Sequence, residues 1–268
     1  MPEDKWAQWL KEKRWPDQRA PLAASLDAVR DRVLAVADLQ PGERVIDLGA
    51  GTGLLGLKAA EMVGQDGAVI LLDISADALR EAASQARVGC ERFVVADALA
   101  CPVHDGWADA VVMRSVLIYI ADRRAAAREL ARVVRPGGRV AIYEPINRRV
   151  ECGVDTTGFE DVLAAYRSAM EKNPITNLDE HLLATGFREA GFASVEIDLV
   201  ETRMPVSGSI LAHGLKYGAP SGYNAYDMLL AAGVSRERLD ELLEACVTRT
   251  AGGPIMITSP AMYMLAIR

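Results

Sequence analysis

The chain has 268 residues, half of them hydrophobic and a quarter charged, with a formal net charge of −7. That balance suits a globular protein with one sizeable core and speaks against nucleic acid or an anionic membrane as partner. Four scattered cysteines (Cys90, Cys101, Cys152, Cys246) and three histidines form no C-x-x-C pair and no ligand spacing, so free thiols, a cytoplasmic setting and no metal are expected.

Taken in order, residues 3–38 read as helical, an N-terminal cap over 1–40 in which Trp6, Trp9 and Trp15 cluster. The start, M-P-E-D-K-W, is too acidic for a secretory signal, and no apolar run approaches the ~20 residues of a membrane helix. From Arg44 the pattern becomes strand, glycine turn, helix, repeated. Strands are expected at "RVIDL", "AVILLD", "RFVVAD", "ADAVVMR" and "RVAIYE", with Ala-rich helices such as "SADALREAASQARV" and "RRAAARELARVV" between them. This alternation predicts an α/β, doubly wound, Rossmann-like sheet whose ligand crevice lies at the carboxyl ends of its strands.

After Pro145 the alternation stops. Residues 151–172 read as a helical insertion, "LDEHLLATGFREAGF" as a helix closed by Gly191, and "ASVEIDLV" as a strand. Residues 206–226, rich in Gly, Ser, Tyr and Pro, are expected to be an irregular segment able to act as a lid. A helix capped by Ser235 and a last strand, "AMYMLAIR", close the chain.

"VIDLGAGTGLLGLKAA", residues 45–60, holds two overlapping glycine fingerprints. Read from Gly51, G-T-G-L-L-G has the spacing of a dinucleotide turn, but it leaves an extra Gly-Ala after the strand and puts Asp47 where a pyrophosphate would be repelled. Read from Asp47, D-L-G-A-G-T-G places a carboxylate and Gly49, Gly51 and Gly53 at a strand end, suited to a ligand carrying positive charge. Gly56 is then a helix-packing residue. Glycines there let the backbone approach a ligand closely.

This stretch resembles motif I of class I S-adenosylmethionine-dependent methyltransferases, of the small-molecule, bacterial quinone-pathway and secondary-metabolite type. Further segments fit in order over residues 41–145: Asp73 with Ile74 in "VILLDIS", Asp97 with Ala98 in "FVVADAL", "ADAVVMRSVLIYIAD", and the Pro-Gly-Gly turn of "VVRPGGRVAIYEP". The resemblance implies a seven-stranded sheet over residues 41–268. It also implies acceptor-site insertions at about 146–175 and 206–258, and S-adenosylmethionine as cofactor with S-adenosylhomocysteine as product. It assigns the ribose hydroxyls to Asp73 and the adenine amino group to Asp97 and Ala98. An Asp about 20 residues past a glycine turn has two oxygens suited to a ribose on physical grounds as well.

The acceptor is expected to be a small molecule, methylated on oxygen, nitrogen or carbon. Methyl transfer is an in-line displacement, favoured by holding nucleophile and methyl in contact, and a weakly acidic acceptor adds a need for a base. Candidates for that chemistry are His213 in the Gly/Tyr-rich segment, Glu144 at the end of strand five, and Tyr119 in the loop after strand four. His104 and His181 are weaker candidates. Arg114 and Ser115, ending strand four, can meet a cofactor carboxylate or an acidic substrate, or Arg114 can pair with an internal Asp. Tyr217, Tyr223 and Tyr226 are possible pocket walls. A non-methylating protein of the same fold and a nicotinamide oxidoreductase are the alternatives; the latter lacks a Tyr-x-x-x-Lys pair. Oligomeric state is not legible.

Overall fold

The computed structural model describes residues 19–173, 176–216 and 224–268, so Trp6, Trp9, Trp15, Tyr217 and Tyr223 lie outside the described residues. The elements in order are α1 (Arg19–Ala37), β1 (Arg44–Leu48), α2 (Gly56–Val63), β2 (Ala68–Asp73), α3 (Ala76–Ser84) and β3 (Glu91–Val95). Then come β4 (Ala108–Arg114), α4 (Arg123–Val133), β5 (Val134–Pro145), β6 (Glu151–Cys152), α5 (Glu160–Lys172) and α6 (Glu180–Glu189). The last are β7 (Ser194–Val206), α7 (Gly208–Lys216), α8 (Ala225–Ala231), α9 (Arg236–Thr248) and β8 (Ile255–Ile267). None of the described helices is long and apolar enough to cross a membrane.

The five strands expected from Arg44 to Glu144 all form, in the order β3-β2-β1-β4-β5-β8-β6, with β7 on β8. Pairs β1/β2, β1/β4, β2/β3 and β4/β5 are parallel. Gly137 and Gly138 face Arg268 while Ile146 faces Pro260, so β8 runs against β5. The two-residue β6 is an eighth strand beyond the seven expected. Val45, Ile46, Ala110–Met113 and Val140–Ile142 are almost wholly buried, as strands covered on both faces must be. Chain order reverses direction between β1 and β4, which sets the crevice at the carboxyl ends of those two strands.

Helix starts follow local chemistry. Ser75 Oγ accepts from the Ala78 N–H at the head of α3, Asp122 from Ala125 at α4, and Asp179 from His181 and Leu182 at α6. Two expectations are corrected. The insertion expected to be helical from residue 151 begins with β6, and its helix starts only at Glu160. The segment expected to be irregular from 206 contains α7, with the Ser207 hydroxyl accepting from the Ile210 N–H at its head.

The chain divides into two compact units. Unit 1 is Met1–Glu144, Asp179–Leu199 and Met262–Arg268; unit 2 is Pro145–Leu178 and Val200–Ala261. Unit 2 has its own core of Phe159, Val162, Tyr226, Leu229 and Leu239. Tyr226, expected as a possible pocket wall, is part of that core, its hydroxyl donating to Asp240 at 2.8 Å. Arg238 lies over the Phe159 ring and pairs with Asp161 and Glu241.

Candidate functional site

The loop after β1 is held by hydrogen bonds at both sides. Gly49 and Ala50 N–H donate to the Leu72 carbonyl, and the Gly51 N–H donates to Asp73 Oδ2 at 2.8 Å. Asp73 Oδ1 accepts from the Ser75 N–H at 2.8 Å. Asp73 therefore ties the glycine loop to the head of α3, and since each carboxylate oxygen can accept twice, acceptor capacity is left on both.

Gly49 and Gly51 have φ of +71° and +52°, a region that side chains rarely adopt. Their surroundings differ. A Cβ on Gly49 would overlap the Val116 side chain from the loop after β4, whereas a Cβ on Gly51 would meet nothing within 4 Å. The expected reason for the glycines is thus corrected in part. Gly49 is small for packing inside the protein, a Cβ on Gly53 would run into Leu57, and only Gly51 borders open space. At Gly56 a Cβ would fall 2.6 Å from Leu71 Cγ, so Gly56 is a helix-packing glycine, as expected.

Asp47 is only 2% exposed and accepts from the Gly56 N–H at 2.7 Å. Burial, opposed by that bond and aided by the nearby Asp73 charge, pushes its pKa up to about 7. The expectation that Asp47 meets a positive ligand directly is corrected: it anchors the loop from beneath.

Beyond Asp73, Ile74 and Val95 are each 59% exposed, and Val95 is the register partner of Asp73. Asp97 is exposed, and its Oδ1 accepts from the Leu99 N–H at 2.8 Å; Ala98 follows it, half-buried. Two bare aliphatic side chains beside two carboxylates offer an apolar platform with polar ends. Val95 was not singled out in the sequence, where a strand-end valine looks like core.

Across the switch point, Ser115 is a non-glycine residue at φ +54°, its N–H bonded to the Tyr143 carbonyl at 2.8 Å. Arg114, just before it, has a buried Nε with no hydrogen-bond partner among the described residues. Burial lowers its pKa; Tyr143, Glu144, Tyr119 and Tyr263 oppose this through space. Tyr143 and Tyr263 pack edge to face with centroids 5.1 Å apart, and Arg32 covers Tyr263 at 4.1 Å. Tyr263, on the last strand, gave no sequence signal.

Glu144 is fully buried. Its Oε1 accepts from Val116 and Leu117 N–H at 2.7 Å each, and Oε2 from Ile118 at 3.4 Å. The expectation that it acts as a base is corrected: it is the buried support of the turn 117–119, at whose end Tyr119 sits half-exposed. Its pKa is pushed up to about 7 by burial, against those three donors. His213 is exposed on α7 in unit 2, while all the other candidates belong to unit 1. His104 and His181 are exposed, as loop and helix-surface residues. All four cysteines are free, three of them buried.

Residues 45–138 match the family model described as a methyltransferase domain. Over this stretch, about a third of its length, the chain is similar to a methyltransferase domain. Curated relatives include the ubiquinone/menaquinone biosynthesis C-methyltransferase UbiE of Vibrio cholerae, 37% identical over 109 residues, 39% of this chain and 42% of that protein. The UbiE of Francisella tularensis subsp. novicida is 33% identical over 119 residues, 43% of this chain and 48% of that protein. The chain thus matches less than half the length of these relatives. Among solved structures, YcgJ of Bacillus subtilis aligns with a TM-score of 0.60 at 18% identity, over 89% of this chain and 97% of that one. A [4+2]-cyclase, SpnF, aligns with a TM-score of 0.53 at 21% identity, over 90% and 80%. The chain therefore has the Rossmann-like fold of these structures, with the glycine loop, Asp73, Asp97 and Arg114 all inside the stretch that matches the family model.

Proposed function

We propose that the protein is an S-adenosylmethionine-dependent methyltransferase acting on a small-molecule acceptor. The observation that carries this reading is the union of the glycine loop with Asp73. The carboxylate holds the loop through Gly51 while keeping acceptor capacity, and Gly51 borders open space. Asp73 would hold the ribose hydroxyls, Ile74 and Val95 would sandwich the flat base, and Asp97 with Ala98 would meet its exocyclic amine. Asp47 lies beneath the loop with its pKa raised to about 7, and in its ionised form it favours a ligand bearing ammonium and sulfonium over a pyrophosphate, which argues against a nicotinamide cofactor.

When bound, S-adenosylmethionine supplies an electrophilic methyl group. The chain's part is to orient the acceptor and exclude water near Arg114 and Ser115, where the switch point sets the crevice. Tyr119, half-exposed in the turn that follows, is this unit's candidate for handling a proton. The relatives named as C-methyltransferases favour transfer to carbon at an electron-rich acceptor.

Calorimetry with S-adenosylhomocysteine tests the reading. Micromolar binding is expected, and Asp73→Ala should weaken it by at least about tenfold, the loss of hydrogen bonds to a charged acceptor. Tight binding of NAD with no response to S-adenosylhomocysteine would end it. A second reading, a non-methylating catalyst of the same fold, draws on the likeness to SpnF. Cofactor binding without methyl release on any acceptor offered would favour it.

A further inference from the structure

We propose that Arg114 is the recognition residue for a carboxylate on the methyl acceptor, which makes the acceptor a small planar acid. This rests on the methyltransferase reading above and names the acceptor class for the same site. A guanidinium nitrogen shut away from water is normally hydrogen-bonded, because a buried donor left unpaired is unfavourable. Arg114 Nε is buried and has no hydrogen-bond partner among the described residues. The one acid close enough to act on it that is also its neighbour in the sheet, Glu144, has turned both oxygens to the Val116, Leu117 and Ile118 N–H groups. Tyr119, Tyr143 and Tyr263 also lie near enough to act on Arg114 through space. The carboxylate beside Arg114 is thus spent on backbone N–H groups, and Arg114 Nε is left over.

The backbone keeps the arginine there. Ser115 holds a left-handed conformation at the strand end, retained by its bond to the Tyr143 carbonyl, and Tyr143 is the register partner of Arg114 on β5. Strain held by neighbouring structure at a crevice is characteristic of sites. A planar donor fork matches a carboxylate, and the half-buried Tyr143 ring, held edge to face by the buried Tyr263, gives a planar molecule an aromatic surface to pack on. Arg114, Tyr143 and Tyr263 lie on β4, β5 and β8, three consecutive strands on the side of β1 away from β2 and β3. Asp73 and Val95 lie on β2 and β3, so the anion that Arg114 meets is separate from the ribose and base.

The test is calorimetry on the full chain saturated with S-adenosylhomocysteine, using benzoate and cinnamate against benzamide and cinnamamide. The acids should bind at least about tenfold more tightly than the amides, the yield of one charge-assisted contact. Arg114→Gln should erase that preference and leave S-adenosylhomocysteine affinity unchanged. Equal binding of acid and amide, or no binding of either at millimolar concentration, overturns the proposal. So does a parallel loss of S-adenosylhomocysteine affinity in Arg114→Gln, which would give Arg114 to the cofactor's own carboxylate. Arg114→Met keeps the test independent of folding defects: removing a half-buried cation whose buried Nε has no partner should raise the thermal midpoint of the ligand-free protein. A fall would make Arg114 a structural residue and overturn the proposal. Wild-type protein that fails to bind S-adenosylhomocysteine strikes the methyltransferase reading instead, and the acid preference is then read on the free protein.

Discussion

The two rims of the parallel sheet treat their charges in opposite ways. At the amino ends of the strands, Arg139 forks onto Glu43 with contacts of 2.8 and 2.6 Å and also donates to the Ala37 and Asp38 carbonyls, locking the end of α1 to β5. Asp109 on β4 accepts from Arg135 at 2.6 Å and from the Arg44 N–H at 2.7 Å. Arg132 joins Glu129, Asp105 and two carbonyls of the loop before β4. At the carboxyl ends, Arg114 has a buried Nε without a partner, Ser115 is strained and Gly51 faces open space. The first rim is satisfied by the chain itself, and the second keeps unspent interactions for something else. Placed on one sheet, they separate residues that the chain pairs internally from residues proposed to bind.

The largest expected effect is at the satisfied rim. Arg139 and Glu43 side chains are 15% and 14% exposed, so Arg139→Ala leaves a mostly buried carboxylate unpaired and should cost about 4 kcal/mol in chemical denaturation. Cofactor affinity should not change. A loss below about 1 kcal/mol would put this pair with ordinary surface ion pairs and dissolve the contrast.

Titration separates the rims next. Glu43 and Asp109 are held below their ordinary pKa despite burial, by hydrogen bonds from Arg139 and the Gln40 N–H and from Arg135 and Arg44, so their contribution is present at neutral pH and lost as the pH falls. Glu144 has the opposite sign. Raised from 4.5 to about 7, it keeps a proton in the folded protein that the unfolded chain releases. Its contribution is complete below pH 4.5 and disappears as the pH rises through about 7. Glu144→Gln carries no such proton. Wild-type stability minus that of the variant should therefore fall by about 3 kcal/mol across that range. A flat difference would mean that the three N–H donors keep the carboxylate ionised throughout.

The sequence made the paired rim and the first half of the fold readable for a simple reason. The strands from Arg44 to Glu144 are apolar runs between helices of clear period, and local pattern and global fold agree there. The open rim was half readable. Asp73, Asp97 and Arg114 sit at strand ends, which spacing can find. That Glu144 is spent on backbone N–H groups, that Asp47 lies under the loop, and that Tyr263 arrives from the last strand all depend on contacts between segments distant in sequence. In unit 2, α7 was missed because Gly, Ser and His composition reads as loop, although Ser207 is a serviceable N-cap. What seats α7 is close packing: a Cβ on Gly208 would overlap the Cys246 carbonyl of α9. No local pattern signals that.

The smallest expected effects fall on one loop and put the contrast to its finest test. Gly49 and Gly51 share a left-handed backbone, so replacing either with alanine carries the same conformational penalty, about 1 kcal/mol. Gly49→Ala adds a collision with Val116, and overpacking should bring its total to about 2 kcal/mol or more, read as a lower thermal midpoint. Gly51→Ala has no neighbour to strike and should lose only the backbone part. Its methyl group would instead project into the space assigned to the cofactor, beside the bond from Gly51 to Asp73. The variant closer to wild type in stability should thus be the one whose S-adenosylhomocysteine affinity falls far more than its stability does. If Gly51→Ala binds normally, the open space beside the loop is not where the cofactor lies, and only the unpartnered Arg114 would still distinguish this rim from the other.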